Sequence, residues 1–171
     1  MILERIISGG QNGADVAGLK AAIAKGIPTG GCMPNGFRTL DGPRPEYAQL
    51  YGMTEHASYF YPPRTFQNIK ESDATLRIAH NLESTGEKCT LKGINQYNKP
   101  HFDVWVRDPN VFTVPEHMYP NVVAKWICDN DIKVLNVAGN SENTAPGIEK
   151  WVTRFISAVI DEVKKIEDAI K

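Results

Sequence analysis

The chain has no apolar run approaching the roughly 20 residues that span a bilayer. Its opening MILERIIS lacks the basic start, long apolar middle and cleavage site of a secretory signal. A cytoplasmic protein with no membrane partner is expected. Cysteine is scarce too: Cys32, Cys89 and Cys128 are odd in number, far apart and without a CxxC pair. That fits reduced, buried, inert thiols better than a disulfide framework or a zinc site. His56, His80, His101 and His117 show neither HExxH nor paired ligand spacing, so no metal site is expected and His80, near a strand end, is read as structural. An excess of either charge is also missing. With 19 Lys and Arg against 20 Asp and Glu, the net charge is −1, without the basic field of a nucleic-acid binder. A local cationic pocket remains open.

What is present suits one domain of 171 residues, 42% hydrophobic and 23% charged. Ile2, Leu3, Ile6 and Ile7 mark a first strand. Val16, Leu19 and Ile23 then recur at helical spacing until Gly26 offers a stop. Residues 29–63, rich in Gly, Pro and Tyr, read as a long irregular segment folded over the domain surface. Phe66 and Ile69 suggest a short helix, DATLRIA a strand, and Leu91, Ile94 and Tyr97 the buried face of another helix. HFDVWV reads as a strand, 120–130 as a helix and IKVLNVA as a last strand. A closing amphipathic helix carries Trp151, Phe155, Val159, Val163 and Ile166 on one stripe. Alternating strands and helices call for an α/β fold: a single Rossmann-like domain over 1–171, its parallel sheet flanked by helices on both faces, with the first strand central. Arg77, inside an apolar strand, marks either an edge or a polar cavity.

In such a sheet ligands sit beyond the carboxyl ends of the strands. Three loops fall there: SGGQNGAD after the first strand, HNLESTGEK after the strand ending near Ala79, and AGNSENTAPG after the last. Each combines glycine with hydroxyl or amide side chains and feeds a helix, whose N-terminus attracts anions. Three such loops on one edge point to a phosphate or oxyanion site, although none is a GxGxxG fingerprint. Gly10 is expected to leave room for the anion or to have a positive φ, so that Gly10→Val would remove binding and keep the fold.

ISGGQNGAD, GGCMPNGFRTLDGPRPE, RTFQNIKESDATL, STGEKCT and LNVAG followed by PGI occur in an order that resembles the successive motifs of the putative molybdenum carrier family. That family lies in a wider Rossmann-like superfamily with the lysine-decarboxylase-like nucleotide hydrolases and the SLOG sensor domains. The resemblance implies a first binding loop of Ser8, Gly9, Gly10, Gln11, Asn12, Gly13 and Asp15. It places Arg38, Asp41 and Gly42 in the segment over the site, Arg64 and Thr65 at the next helix start, Thr85, Gly86, Glu87 and Lys88 in the second loop, and Gly139, Asn140 and Ser141 in the last. It further implies a small-molecule anionic ligand, either molybdenum cofactor or a nucleotide derivative, and association into dimers or tetramers. Arg38 and Arg64 suit a phosphate as guanidinium forks, Arg38 also reading as a surface pair with Asp41. Asp15 reads either as a ribose or pterin hydrogen-bond acceptor or as a first-turn acid that complements the helix dipole.

The chain departs from the family after Thr85-Gly86, where Glu87, Lys88 and Cys89 replace a further glycine and small residues, and again in GNSENTAPG. The phosphoribohydrolase loop Gly-Gly-x-Gly-Thr-x-x-Glu is absent, so no catalytic residue is assigned. The primary reading is a carrier or storage protein for a phosphorylated cofactor. Its alternatives are a sensor or sequestering protein for a nucleotide-derived signal of the cyclic ADP-ribose type, and a nucleotide N-glycosidic hydrolase.

Overall fold

In the computed structural model, which describes residues 2–171, the chain forms one six-stranded parallel sheet. Its elements are β1 (Arg5–Ile7), α1 (Ala14–Ala24), β2 (Thr29–Met33), a two-stranded hairpin of β3 (Arg38–Thr39) and β4 (Gly42–Pro43), and α2 (Tyr47–Tyr51). There follow β5 (Met53–Glu55), α3 (Tyr61–Glu71), β6 (Ala74–Ala79), α4 (Thr85–Tyr97), β7 (His101–Trp105), α5 (Pro120–Asp129), β8 (Val134–Gly139) and α6 (Ile148–Ile170). The strand order is β5-β2-β1-β8-β6-β7.

The chain steps one way from β1 to β2 and the opposite way from β6 to β7, so right-handed crossovers put α1 and α4 on opposite faces. α1, α6 and α5 pack on one another in one layer, and α3 with α4 forms the other. On the first layer the α6 stripe is buried from Ile148 through Trp151, Phe155 and Val159 to Val163. Every residue of β6, including Arg77, is buried, as a central strand covered on both faces requires.

β1 is third of the six strands, which meets the expectation of a central place. The reversal of direction lies one strand further on, between β8 and β6. Starting the chain at β8 shows why: β8, β1 and β2 then become consecutive neighbours, and β6 and β7 extend the other side. Numbered that way the sheet reads 4-3-2-1-5-6, the Rossmann pattern of two halves running outward from the first strand, with β5 added at one edge and the first strand moved to the end of the chain. The Ile2 amide donates to the Glu167 carboxylate, so the start of β1 and the end of α6 lie side by side.

Segment 29–63 is not irregular: it supplies β2 and β5, two strands of the main sheet, besides the hairpin and α2. β2 reads TGGCM, with no apolar alternation, because its neighbours come too close for side chains. A Cβ on Gly31 would stand 2.1 Å from the Ser8 carbonyl oxygen, and one on Gly30 would meet the Arg5 guanidinium at 2.0 Å. This region buries a small second core of Leu19, Met33 and Met53 under Phe37, Tyr47 and Tyr51. Ile23, expected inward, is half exposed, because α1 instead buries small residues, Ala14, Ala17, Ala21 and Ala22, against the sheet and α6. The thiols depart from expectation as well: Cys32 is buried, whereas Cys89 and Cys128 are half-buried.

Candidate functional site

A cleft of about 610 Å³ opens over the carboxyl ends of β1, β8 and β6, at the reversal of strand order. This volume lies in the ~300–1,000 Å³ range of small-molecule pockets. Of the residues expected at a site, Gly9, Gln11, Asp15, Arg64, Thr65, Thr85, Gly86, Glu87, Gly139, Asn140 and Ser141 line it. Ser8, Gly10, Asn12, Gly13, Arg38, Asp41, Gly42 and Lys88 do not.

Some of the second group join the loops to one another. Ser8 Oγ accepts the Gly10 amide at 3.2 Å beneath the loop. Gly13 precedes α1, whose first amide, on Ala14, donates to the Asn140 carbonyl at 3.0 Å. Asn12 Nδ2 donates to Asp41 and to Asn143, each at 2.8 Å, and its Oδ1 accepts the Glu142 amide at 3.1 Å. Asp41 therefore meets Asn12 rather than Arg38. The Arg38 guanidinium lies over the Tyr59 and Tyr61 rings, 4.1 and 4.3 Å from their centroids, and donates to the Tyr59 carbonyl. Gly42 turns the β3–β4 hairpin with φ +94°. Lys88 projects into solvent near Glu83. Gly10 is buried, with φ +71°, and a Cβ there would meet the buried Met33 side chain at 2.9 Å. It shapes the turn and rests on the small core: of the two expected reasons for this glycine the positive φ is present, and the Cβ position faces Met33.

Several lining residues also hold the loops together. Asn140 Oδ1 accepts the amides of His80 and Asn81 at 2.9 and 2.8 Å, and its Nδ2 donates to the Asn81 carbonyl at 2.9 Å, so it fastens the β8 loop to the β6 loop. Gln11 Oε1 accepts the amides of Asn12 and Leu40. Ser141 Oγ pairs with Thr144.

The four helix N-termini around the cleft are not equivalent. That of α6 is closed by Glu142, whose carboxylate accepts the Gly147 and Glu149 amides at 2.5 and 3.0 Å. In α1 the Ala14 amide is taken by Asn140. The first turn of α3 carries Pro62 and Pro63, which have no N–H to offer. The α4 N-terminus remains. Ser84 caps it by accepting the Glu87 amide at 3.3 Å, while the Thr85 and Gly86 amides, the first two of the helix, have no intrahelical partner, and both residues line the cleft.

Among the described residues, the buried side-chain nitrogen and oxygen atoms without a hydrogen-bond partner are Tyr61 Oη, Arg64 Nε and Glu87 Oε2. All three residues line this cleft. Arg64 is 8% exposed. Its guanidinium lies across Gly9, where a Cβ would stand 2.7 Å from Cζ; it bonds Thr65 Oγ1 and stands 3.9 Å from Asp15. One buried arginine thus keeps a free donor beside the open amides of α4.

Burial raises the Asp15 carboxyl to about 6, against the opposing pull of Arg64 and of the Gln11 and Gly9 amides. Burial likewise lifts Glu87 to about 8, opposed by Arg77 and reinforced by the charges of Asp15 and Asp103. Arg77 marks neither an edge nor an open cavity: it sits in central β6 and gives Nε and Nη2 to Asp103 at 2.9 and 2.6 Å.

Both acids hold their protons more tightly in the fold than in the unfolded chain, so their contribution to stability is complete below the ordinary carboxylate range. It is lost as pH rises through about 6 for Asp15 and about 8 for Glu87. The melting temperature of the ligand-free protein is therefore expected to fall between pH 6 and 8, above the range in which Asp15 contributes, and Glu87→Gln to flatten that fall. Parallel melting curves of the two proteins over this window would count against the assignment.

The sequence reading did not reach Leu40, Tyr61, Pro62, Asn68, Ser84, Cys89, Thr90, Asn136, Ala138 and Thr144, which complete the lining. Asn68 had no local signal; it bonds the Cys32 backbone from across the sheet, at 2.8 and 3.0 Å. Ser84 did have one, since Ser84-Thr85-Gly86-Glu87 spells a capping box.

The model of the circularly permutated YpsA SLOG family matches residues 6–160. Among solved structures, a 1.45 Å crystal structure of a Syntrophus aciditrophicus SB protein, described as "Putative molybdenum carrier protein", is similar over 95% of this chain and 95% of that one. Identity is 30% and the TM-score 0.77. No curated protein matches the chain.

Proposed function

The chain belongs to the circularly permutated YpsA SLOG family, and from that premise we propose that its cleft holds a phosphorylated small molecule or similar oxyanion, as a carrier or storage protein. The observation that carries this reading is Arg64 Nε, a buried donor without a partner in the wall of a cleft that also contains the open amides of Thr85 and Gly86. A buried N–H left unpaired costs about 1–3 kcal/mol, a cost recovered when an anion accepts from it.

Arg64, Thr85 and Gly86 are the anion-holding set in this proposal, with Thr65 positioning the guanidinium and Gly9 giving it room. Gln11, Asp15, Glu87, Gly139, Asn140 and Ser141 form the surrounding wall. Molybdenum cofactor and nucleotide derivatives both offer a phosphate to that set, and the first is the cargo suggested by the description of the Syntrophus protein. A cytoplasmic location and a dimer or tetramer complete the proposal. Among the described residues no helix is long and apolar enough to cross a membrane. Tyr59, Phe60 and Leu50 are the most exposed large apolar side chains outside the chain end, and are available to an interface.

Denaturing the purified protein and identifying released molecules by mass spectrometry is expected to yield a phosphorylated or other oxyanion-bearing compound that rebinds the emptied protein. Release and rebinding of neutral or cationic compounds alone would overturn the proposal. A second reading, nucleotide N-glycosidic hydrolysis, is favoured by the buried Glu87 carboxyl in the cleft wall. Free base released from nucleoside monophosphates would decide for it over carriage.

A further inference from the structure

Glu87 is only 2% exposed and lines the cleft, with Oε2 lacking a hydrogen-bond partner. A buried carboxylate ordinarily requires a committed cation. The nearby cation is Arg77, on β6, and it is already occupied: Nε and Nη2 donate to Asp103 on β7, and Nη1 donates to the backbone carbonyl of Glu87 at 3.2 Å. Glu87 Oε2 stands 3.8 Å from Nη1 and receives no hydrogen bond from it. The remaining charges that bear on Glu87 are those of Asp15 on α1 and Asp103, both of the wrong sign to hold an anion there. Asp103 in turn lies 3.8 Å from His101 at the sheet edge.

We propose that Glu87 is a second recognition group of the cleft: held un-ionised beside an arginine that Asp103 has claimed, it donates its carboxyl O–H to an uncharged acceptor on the molecule whose anion meets Arg64. The ligand class is accordingly an oxyanion joined to a neutral carbonyl or ring nitrogen, in place of a bare oxyanion. This inference rests on the anion reading of the same cleft. Arg77 and Asp103 are positioning residues, since they act only through Glu87.

The test uses two probes that share sugar and phosphate, adenosine 5′-monophosphate and ribose 5-phosphate, of which only the first carries neutral ring nitrogens. Calorimetric affinities are compared at pH 7 and 9.5, where the phosphate is already ionised, and the readout is the ratio between probes. The natural protein is expected to prefer the nucleotide by about fivefold at pH 7, the size of one neutral hydrogen bond, and to lose that preference at pH 9.5. Glu87→Gln, which keeps a donor without a titrating proton, is expected to hold the preference at both. Asp103→Asn frees Arg77 for Glu87 and is expected to move the midpoint of the loss to lower pH.

A preference that is unchanged by pH in the natural protein, that falls equally in Glu87→Gln, or whose midpoint stays in place in Asp103→Asn would overturn the inference. Equal binding of both probes at pH 7 would overturn it and leave the anion reading standing. Binding of neither would overturn both.

Discussion

Arg64→Met is expected to weaken affinity for inorganic phosphate by about 1.5–3 kcal/mol, roughly 10- to 150-fold, the worth of a hydrogen bond to a charged group. The ligand-free protein should melt no earlier. Nε is buried without a partner, so its loss removes a desolvation cost, and methionine fills similar space against Gly9. No stranded charge follows, because Asp15, deprived of Arg64 at 3.9 Å, takes up a proton more readily still. Arg38→Ala is the control: Arg38 does not line the cleft, its guanidinium resting on the Tyr59 and Tyr61 rings, and affinity should move little. Calorimetry beside thermal melting separates the outcomes. A fall in ligand-free melting temperature with near-normal affinity in Arg64→Met would show a structural arginine.

Gly10→Val is expected to produce the largest loss of stability. Its φ of +71° is strained for a residue with a Cβ, at about 1–2 kcal/mol, and the new Cβ would drive into Met33 at 2.9 Å, adding about 1–3 kcal/mol of overpacking. Together these lower the melting temperature by about 4–20 °C for a chain of this size. The neighbouring Gly9→Ala should behave in the opposite way. Its Cβ meets only the flexible end of Arg64, so the fold stands while the guanidinium is pushed from its place and phosphate affinity drops. Equal melting temperatures for Gly10→Val and the natural protein would refute this division of labour within SGGQNGAD.

Strand and helix identity was legible wherever apolar periodicity was strong, as in β6, β8 and α6. It failed at β2, where the pattern is erased by Gly30 and Gly31, whose missing side chains make room for Arg5 and for the Ser8 carbonyl. With β5, only three residues long, missed as well, a sheet-forming segment looked irregular. The place of the last strand was not legible either, because nothing local in IKVLNVA says that it inserts between β1 and β6. Motif order, by contrast, carried the family, and the permutation in the family's description agrees with the strand order.

For the cleft, residue types alone did not separate ligand-facing groups from loop fasteners. Asn12, Asn140 and Gln11 have the chemistry of binding residues and spend it on the backbones of other loop residues, Glu142, His80 and Leu40. Glu87 was visible as a departure from the family pattern. Its isolation depends on Asp103 taking Arg77, a contact between adjacent strands 26 residues apart in sequence.

The central claim is that an anion meets Arg64 Nε and the first amides of α4 together. Its most direct measurement is a nitrogen-15 NMR titration of the protein with inorganic phosphate, following Thr85 N–H, Gly86 N–H and Arg64 Nε–H. The account predicts that these three resonances move together and saturate with one dissociation constant, while the amides at the Glu142-capped start of α6 stay in place. Saturation at α6 or elsewhere, with Thr85, Gly86 and Arg64 unmoved, would contradict it.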